Sequence, residues 1–186
     1  MINALLIYVL GLIIYIPIMV IYLRKKYSVT KNLLIFIFVV YLLLVIGVTM
    51  FPLPWQTNLL NHLRQRSPGL RTNIIPLKSI ISMLQNNTVH DMVKQLVGNI
   101  ILTIPFGFIY TLTFNKRKTL VNTIIPGIIF SVLIELFQFL IGQAIGYSYR
   151  IVDIDDVLLN TLGIFIGFFL FIIIKPNIQK HLDLNY

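Results

Sequence analysis

Long apolar runs alternate with short polar ones along this chain. The apolar runs cover Ile2 to Leu23, Leu33 to Phe51, Val93 to Phe114, Leu120 to Ile141 and Val157 to Ile174. Each reaches the roughly 18 residues with which a helix crosses a bilayer's hydrocarbon. Backbone in hydrocarbon has to satisfy its own hydrogen bonds, so such runs are read as helices. The pattern predicts an all-α, polytopic membrane helix bundle of about five transmembrane helices. The breaks between runs carry the expected chemistry. Phe51-Pro52-Leu53-Pro54-Trp55 ends the second run with two prolines and interface-favouring aromatic side chains. Asn115-Lys116-Arg117-Lys118 joins the third and fourth, and Gly142 to Arg150 turns between the fourth and fifth. The first run lacks a basic leader and a small-residue cleavage site, so it reads as a retained signal-anchor, with a kink expected at Pro17. In the long connection from Trp55 to Asp91, Leu77, Ile80, Ile81 and Leu84 recur at helical spacing after Pro76. That segment is too short to span and predicts a short interfacial helix in the outer loop.

Composition strengthens this reading. Hydrophobic residues make up 58% and charged residues 11%, with a mean hydropathy of +0.89, which leaves almost no soluble part in the 186 residues. Length and the lack of a repeat indicate a single domain over 1–186. The absence of cysteine excludes disulfides and thiolate metal sites. The net charge of +9 is read first as anchoring of cytoplasmic loops, and alternatively as attraction to anionic lipid or cell-wall polymer. Basic residues lie at Arg24, Lys25, Lys26 and Lys31, at Lys116 to Lys118, and at Lys175 and Lys180. Gathering them inside puts the N-terminus outside and the C-terminus in the cytoplasm. Arg64, Arg66, Arg71 and Lys78 weaken that bias, but they sit in a long loop, which counts less. The basic runs have no interleaved aromatic residues, so nucleic acid is not an expected partner.

Candidate chemistry concentrates in one place. Four of the six acidic residues, Glu135, Asp153, Asp155 and Asp156, fall where the fourth and fifth runs meet, together with Gln138, Arg150 and Asn160. A carboxylate near hydrocarbon needs a partner, a proton or water. Asp153, Asp156, Asn160, Gly163 and Gly167 are spaced by three and four and share one helix face. So do Gly127, Ser131, Glu135, Gln138 and Gly142 on the fourth run, and Asn99, Thr103 and Gly107 on the third. Small residues let membrane helices approach and polar ones bond across them, so the stripes are expected to face one another. At 1.5 Å per residue, Glu135 lies about 20 Å from the inner end of its helix and Asn99 about 10 Å from the outer end. The expected result is an outward-facing polar pocket holding Glu135, Gln138, Asn99, Asp156 and Asn160, with Arg150 above it. Plainer roles stand beside this. Asn99 and Asn160 serve equally as interhelical hydrogen bonders, Asp153 as an N-cap, and Asp155, which points off the stripe, as a solvated surface group. Arg150 either neutralises the acids or grips a phosphate with two parallel bonds. Glu135 is functional by default at its depth, as an acid or base. His62, His90 and His181 are isolated, the carboxylate spacing matches no metal signature, and neither a metal nor a cofactor is expected.

Four sequence blocks resemble the VanZ-like family of small bacterial membrane proteins. They are Asn73-Ile74-Ile75-Pro76-Leu77-Lys78-Ser79-Ile80, the stretch Gly98 to Phe108, Ser131-Val132-Leu133-Ile134-Glu135-Leu136-Phe137-Gln138, and Arg150 to Gly163 followed by Gly167. The resemblance covers about 50–167. Leu77 and Thr103 depart from the family's usual aromatic and apolar residues, and neither departure removes a polar group. The resemblance implies a bacterial cell-membrane location and a role in tolerance of glycopeptide antibiotics, teicoplanin in particular. It carries Asn73 into the set with Asn99, Glu135, Gln138, Arg150, Asp153, Asp156 and Asn160. Two functions follow as expectations. In one, the pocket binds a membrane lipid, a lipid-linked cell-wall precursor or the glycopeptide itself, with Asn73, Asn99, Gln138, Arg150, Asp153 and Asn160 as binding groups. In the other, an enzyme modifies such a lipid with Glu135 as acid or base and Asp156 as its partner. A third, purely structural role for the cluster is the remaining alternative.

Overall fold

The computed structural model describes residues 4–19, 27–54, 56–66, 69, 71–86, 89–115 and 117–181. It is all-α apart from one short strand pair. In chain order the elements are α1 (Ala4–Ile18), α2 (Val29–Met50), α3 (Thr57–Arg66), β1 (Thr72–Asn73), α4 (Lys78–Asn86), α5 (Val89–Thr113), α6 (Val121–Ile145), β2 (Val152–Asp153) and α7 (Ile154–His181). Among the described residues four helical segments are long and apolar enough to cross a membrane: Val29–Met50, Val93–Thr113, Val121–Ile145 and Ile154–Pro176. α1 is the described part of the first apolar run. The rest of that run, its basic flank Arg24 to Lys26, and Trp55 lie outside the described residues.

Helix ends differ from the hydropathy edges because capping groups set them. α2 starts at Val29, before the apolar run, because the Ser28 side chain accepts the Lys31 amide at 3.3 Å. α6 continues to Ile145 because Gly146 takes a left-handed φ of +62° and closes a Schellman cap. In it the Gly146 amide meets the Gln143 carbonyl at 3.2 Å and the Tyr147 amide the Gly142 carbonyl at 3.1 Å. The long connection holds one more helix than the one its apolar spacing predicts. α3 was not anticipated there, although Leu59, Leu60 and Leu63 have helical spacing. The short helix expected after Pro76 begins at Lys78, with Pro76 in the preceding turn, and Leu77 has a left-handed φ of 65°.

The chain forms two compact units, one made of Met1–Thr72 with Ile134–Val152 and the other of Asn73–Leu133 with Asp153–Tyr186. In the first, α1 packs on α2. Gly11 lies under the Leu43 side chain, Gly47 under Tyr8, and the Tyr15 and Phe36 rings are 5.9 Å apart. Arg64 on α3 donates to the Ile145 carbonyl through Nε at 2.9 Å and Nη2 at 2.6 Å, placing a cation at the negative end of α6.

In the second unit α5 and α7 come into backbone contact. A methyl group at Gly107 would overlap the Ile164 carbonyl, one at Gly163 the Ile100 carbonyl and Thr103, and one at Gly167 the Ile104 carbonyl. Gly127 on α6 receives the Ile164 side chain, which is fully buried. The small-residue stripes expected on α5 and α7 therefore face each other, and Gly127 of the α6 stripe meets them. Close approach substitutes dispersion contact for the hydrophobic drive that lipid removes.

Candidate functional site

The second unit builds its polar site around the first turn of α7. Asp153 is the N-cap: its Oδ1 accepts the Asp155 amide at 2.9 Å and the Asn73 side-chain amide at 2.8 Å. Asn73 Nδ2 also reaches Ser79 Oγ at 2.9 Å, and its Oδ1 accepts the Ile75 amide at 3.2 Å. One turn along, Asp156 Oδ1 accepts Asn99 Nδ2 at 2.6 Å, with the Gln95 side chain as a second hydrogen-bond partner. The next turn brings Thr103, fully buried, whose hydroxyl donates to the Asn160 carbonyl at 2.8 Å. The Asn160 side chain is buried, and its Oδ1 has no hydrogen-bond partner among the described residues. Asn160 lies four residues beyond Asp156, on the same face.

Asp155 corrects the expectation of a solvated group. It is 1% exposed and accepts the amides of Leu77 at 2.5 Å, Ser79 at 2.9 Å and Ile80 at 3.2 Å. It lies off the α7 stripe, where the start of α4 stands instead of water. A helix's first amides have no helical acceptor, and a carboxylate satisfies them while complementing the helix dipole. Gln95 was also missed. It continues the spacing of four that runs through Asn99, Thr103 and Gly107, so extending that stripe one turn would have found it.

In the first unit the candidates gather around the last turn of α2. Gln138 Nε2 donates to the Thr49 carbonyl at 3.2 Å and Arg150 Nη2 to the Val48 carbonyl at 3.1 Å. Both therefore satisfy carbonyls that the helix end leaves open. Tyr149 places its hydroxyl 3.9 Å from Met50 Sδ. Burial pushes the Tyr149 phenol from 10.0 up to about 12, the Arg150 cation pulls it down, and the Glu135 carboxylate adds to the rise. Glu135 itself is buried, at 6% exposure. The candidates thus fall into two sets: Asn73, Asn99, Asp153, Asp156 and Asn160 in one unit, and Glu135, Gln138 and Arg150 in the other. Among the described residues no group of three or more His, Cys, Asp or Glu side chains is placed to hold a metal ion.

The VanZ/LLP1 family model matches residues 38–175, from within α2 to near the end of α7. The chain belongs to the VanZ/LLP1 family. The matched region contains every candidate residue in both sets, and it leaves α1 out. No curated protein and no solved structure matches the chain.

Proposed function

We propose that this VanZ/LLP1 protein contributes to glycopeptide (teicoplanin) tolerance by engaging an envelope lipid, a lipid-linked precursor or the lipoglycopeptide at the outer face of the bacterial membrane. The reading rests chiefly on the buried Oδ1 of Asn160, which has no partner among the described residues and lies one turn from the Asp156 carboxylate. A buried acceptor without a donor is costly, so the site suits a ligand that brings N–H or O–H groups. Sugars, peptide amides and amine headgroups all supply them. Asn73, Asn99 and Asp153 hold the surrounding turns in place.

Glu135 favours a second reading, in which the protein modifies such a lipid and this carboxyl acts as acid or base. Its burial within a membrane span is the observation behind that reading. The experiment is a teicoplanin susceptibility series in a sensitive bacterial host, with membrane levels of each variant matched. Asp156→Asn and Asn160→Leu are expected to remove most of the tolerance conferred by the native chain. Full tolerance in both would defeat the binding reading. Envelope lipids and precursors are compared by mass spectrometry in the same strains. A lipid species that depends on the native chain and disappears with Glu135→Gln selects the enzyme, and an unchanged profile selects binding.

A further inference from the structure

The turn between α5 and α6 holds a second polar site, about 24 Å along α5 from Asn99. A cavity of about 410 Å³ opens there, lined by Phe114, Asn115, Arg117, Asn122 and Ile125 among others. Asn115 is 3% exposed. Its Nδ2 bridges the Thr119 carbonyl at 2.7 Å and Thr123 Oγ1 at 2.9 Å, and Thr123 in turn meets Thr111 Oγ1 at 2.7 Å. These bonds fix the side chain, yet its Oδ1 is buried with no partner among the described residues. The neighbouring cations divide their tasks. Lys118, at a left-handed φ of 51°, folds back to donate to the Thr111 and Leu112 carbonyls at 2.6 and 2.9 Å and so ends α5. Arg117 is exposed and makes no hydrogen bond or ion pair among the described residues. Beside it α6 begins, with the positive end of a 25-residue helix. Phe114 and Ile125 supply exposed apolar surface at the cavity's edge.

We infer that this turn binds the headgroup of an anionic phospholipid with free hydroxyls, phosphatidylglycerol in chemical class. Arg117 and the start of α6 take the phosphodiester, Asn115 Oδ1 accepts a headgroup hydroxyl, and Phe114 and Ile125 lie against the acyl chains. The inference is independent of the glycopeptide reading and of which membrane face the turn occupies.

Native mass spectrometry of the delipidated full chain in detergent tests it, using lipids with identical acyl chains. Phosphatidylglycerol is expected to bind more tightly than phosphatidylcholine, with Arg117→Gln weakening it about fivefold and leaving phosphatidylcholine unchanged. The exposed Arg66→Gln is the control, and it should bind phosphatidylglycerol as the native chain does. Equal loss in both variants would reduce the site to nonspecific charge and overturn the proposal, as would native binding by Arg117→Gln. Phosphatidylmethanol keeps the phosphodiester without the hydroxyls, so it should bind less tightly than phosphatidylglycerol, and equal binding removes Asn115 from the site. If free glycerol phosphate displaces the lipid as effectively as short-chain phosphatidylglycerol does, the ligand is a soluble phosphate and the membrane source is wrong.

Discussion

Asp155 takes three of the amides that the start of α4 leaves without helical acceptors. A hydrogen bond to a charged acceptor contributes about 1.5–3 kcal/mol, and an unmade buried one costs a similar amount. Asp155→Ala should therefore lower stability by about 3 kcal/mol or more, read by thermal unfolding in detergent, with Asp155→Asn losing less. A change below about 1 kcal/mol would show that the clamp contributes little. Tyr149 offers a titration test. Its folded pKa, about 12, lies above the ordinary 10.0, so the fold favours the neutral phenol. That contribution is complete below pH 10 and is lost as pH rises through about 12. The phenolate absorbance assigned by difference against Tyr149→Phe should therefore appear late. Glu135→Gln should bring it to lower pH, and an unmoved titration would place the Glu135 charge out of reach of Tyr149. Neither Asp155 nor Tyr149 stood out in the sequence as a partnered group. A helix face can be read from residue spacing, but what packs against that face cannot.

The membrane-crossing helices were legible from hydropathy alone, because lipid excludes any other backbone arrangement over such lengths. Their ends were less so. Ser28, Asp153 and Gly146 shift boundaries by hydrogen bonds and a left-handed φ that hydropathy does not register. α3 was missed for a related reason, since its leucines are outnumbered by polar residues and the loop context masked their spacing. Glycine stripes were legible too, but spacing does not tell which glycines are in contact. Gly163 meets the Ile100 carbonyl, whereas Gly98 has open space where a Cβ would stand. Gly163→Ala is expected to cost about 1–3 kcal/mol through forced separation of α5 and α7. Gly98→Ala should instead stabilise α5 by about 0.5–1 kcal/mol. Thermal unfolding of the two variants checks both signs, and a shared sign would contradict the packing described.

For the whole molecule, the charge bias predicts an external N-terminus and a cytoplasmic C-terminus. The chain has no cysteine, so single-cysteine variants label cleanly. Ser148→Cys should react with a membrane-impermeant maleimide in intact cells, and Lys180→Cys only after permeabilisation. The reverse pattern would invert the topology and move the polar turns around Asp156 to the cytoplasmic face. The family was legible in the sequence because its motif blocks place rare polar groups among apolar residues at set intervals. Sequence alone determined the family of this protein, its membrane-spanning helices and where polar residues interrupt them, since hydrocarbon tolerates few other arrangements. Only tertiary structure decided their partners: Asp155 on α4, Asn99 on Asp156, Arg150 and Gln138 on the end of α2, and Asn115 beside an open cavity. Hydrogen bonds join residues far apart in the chain at separations near 3 Å, and residue spacing along one helix carries no information about that distance.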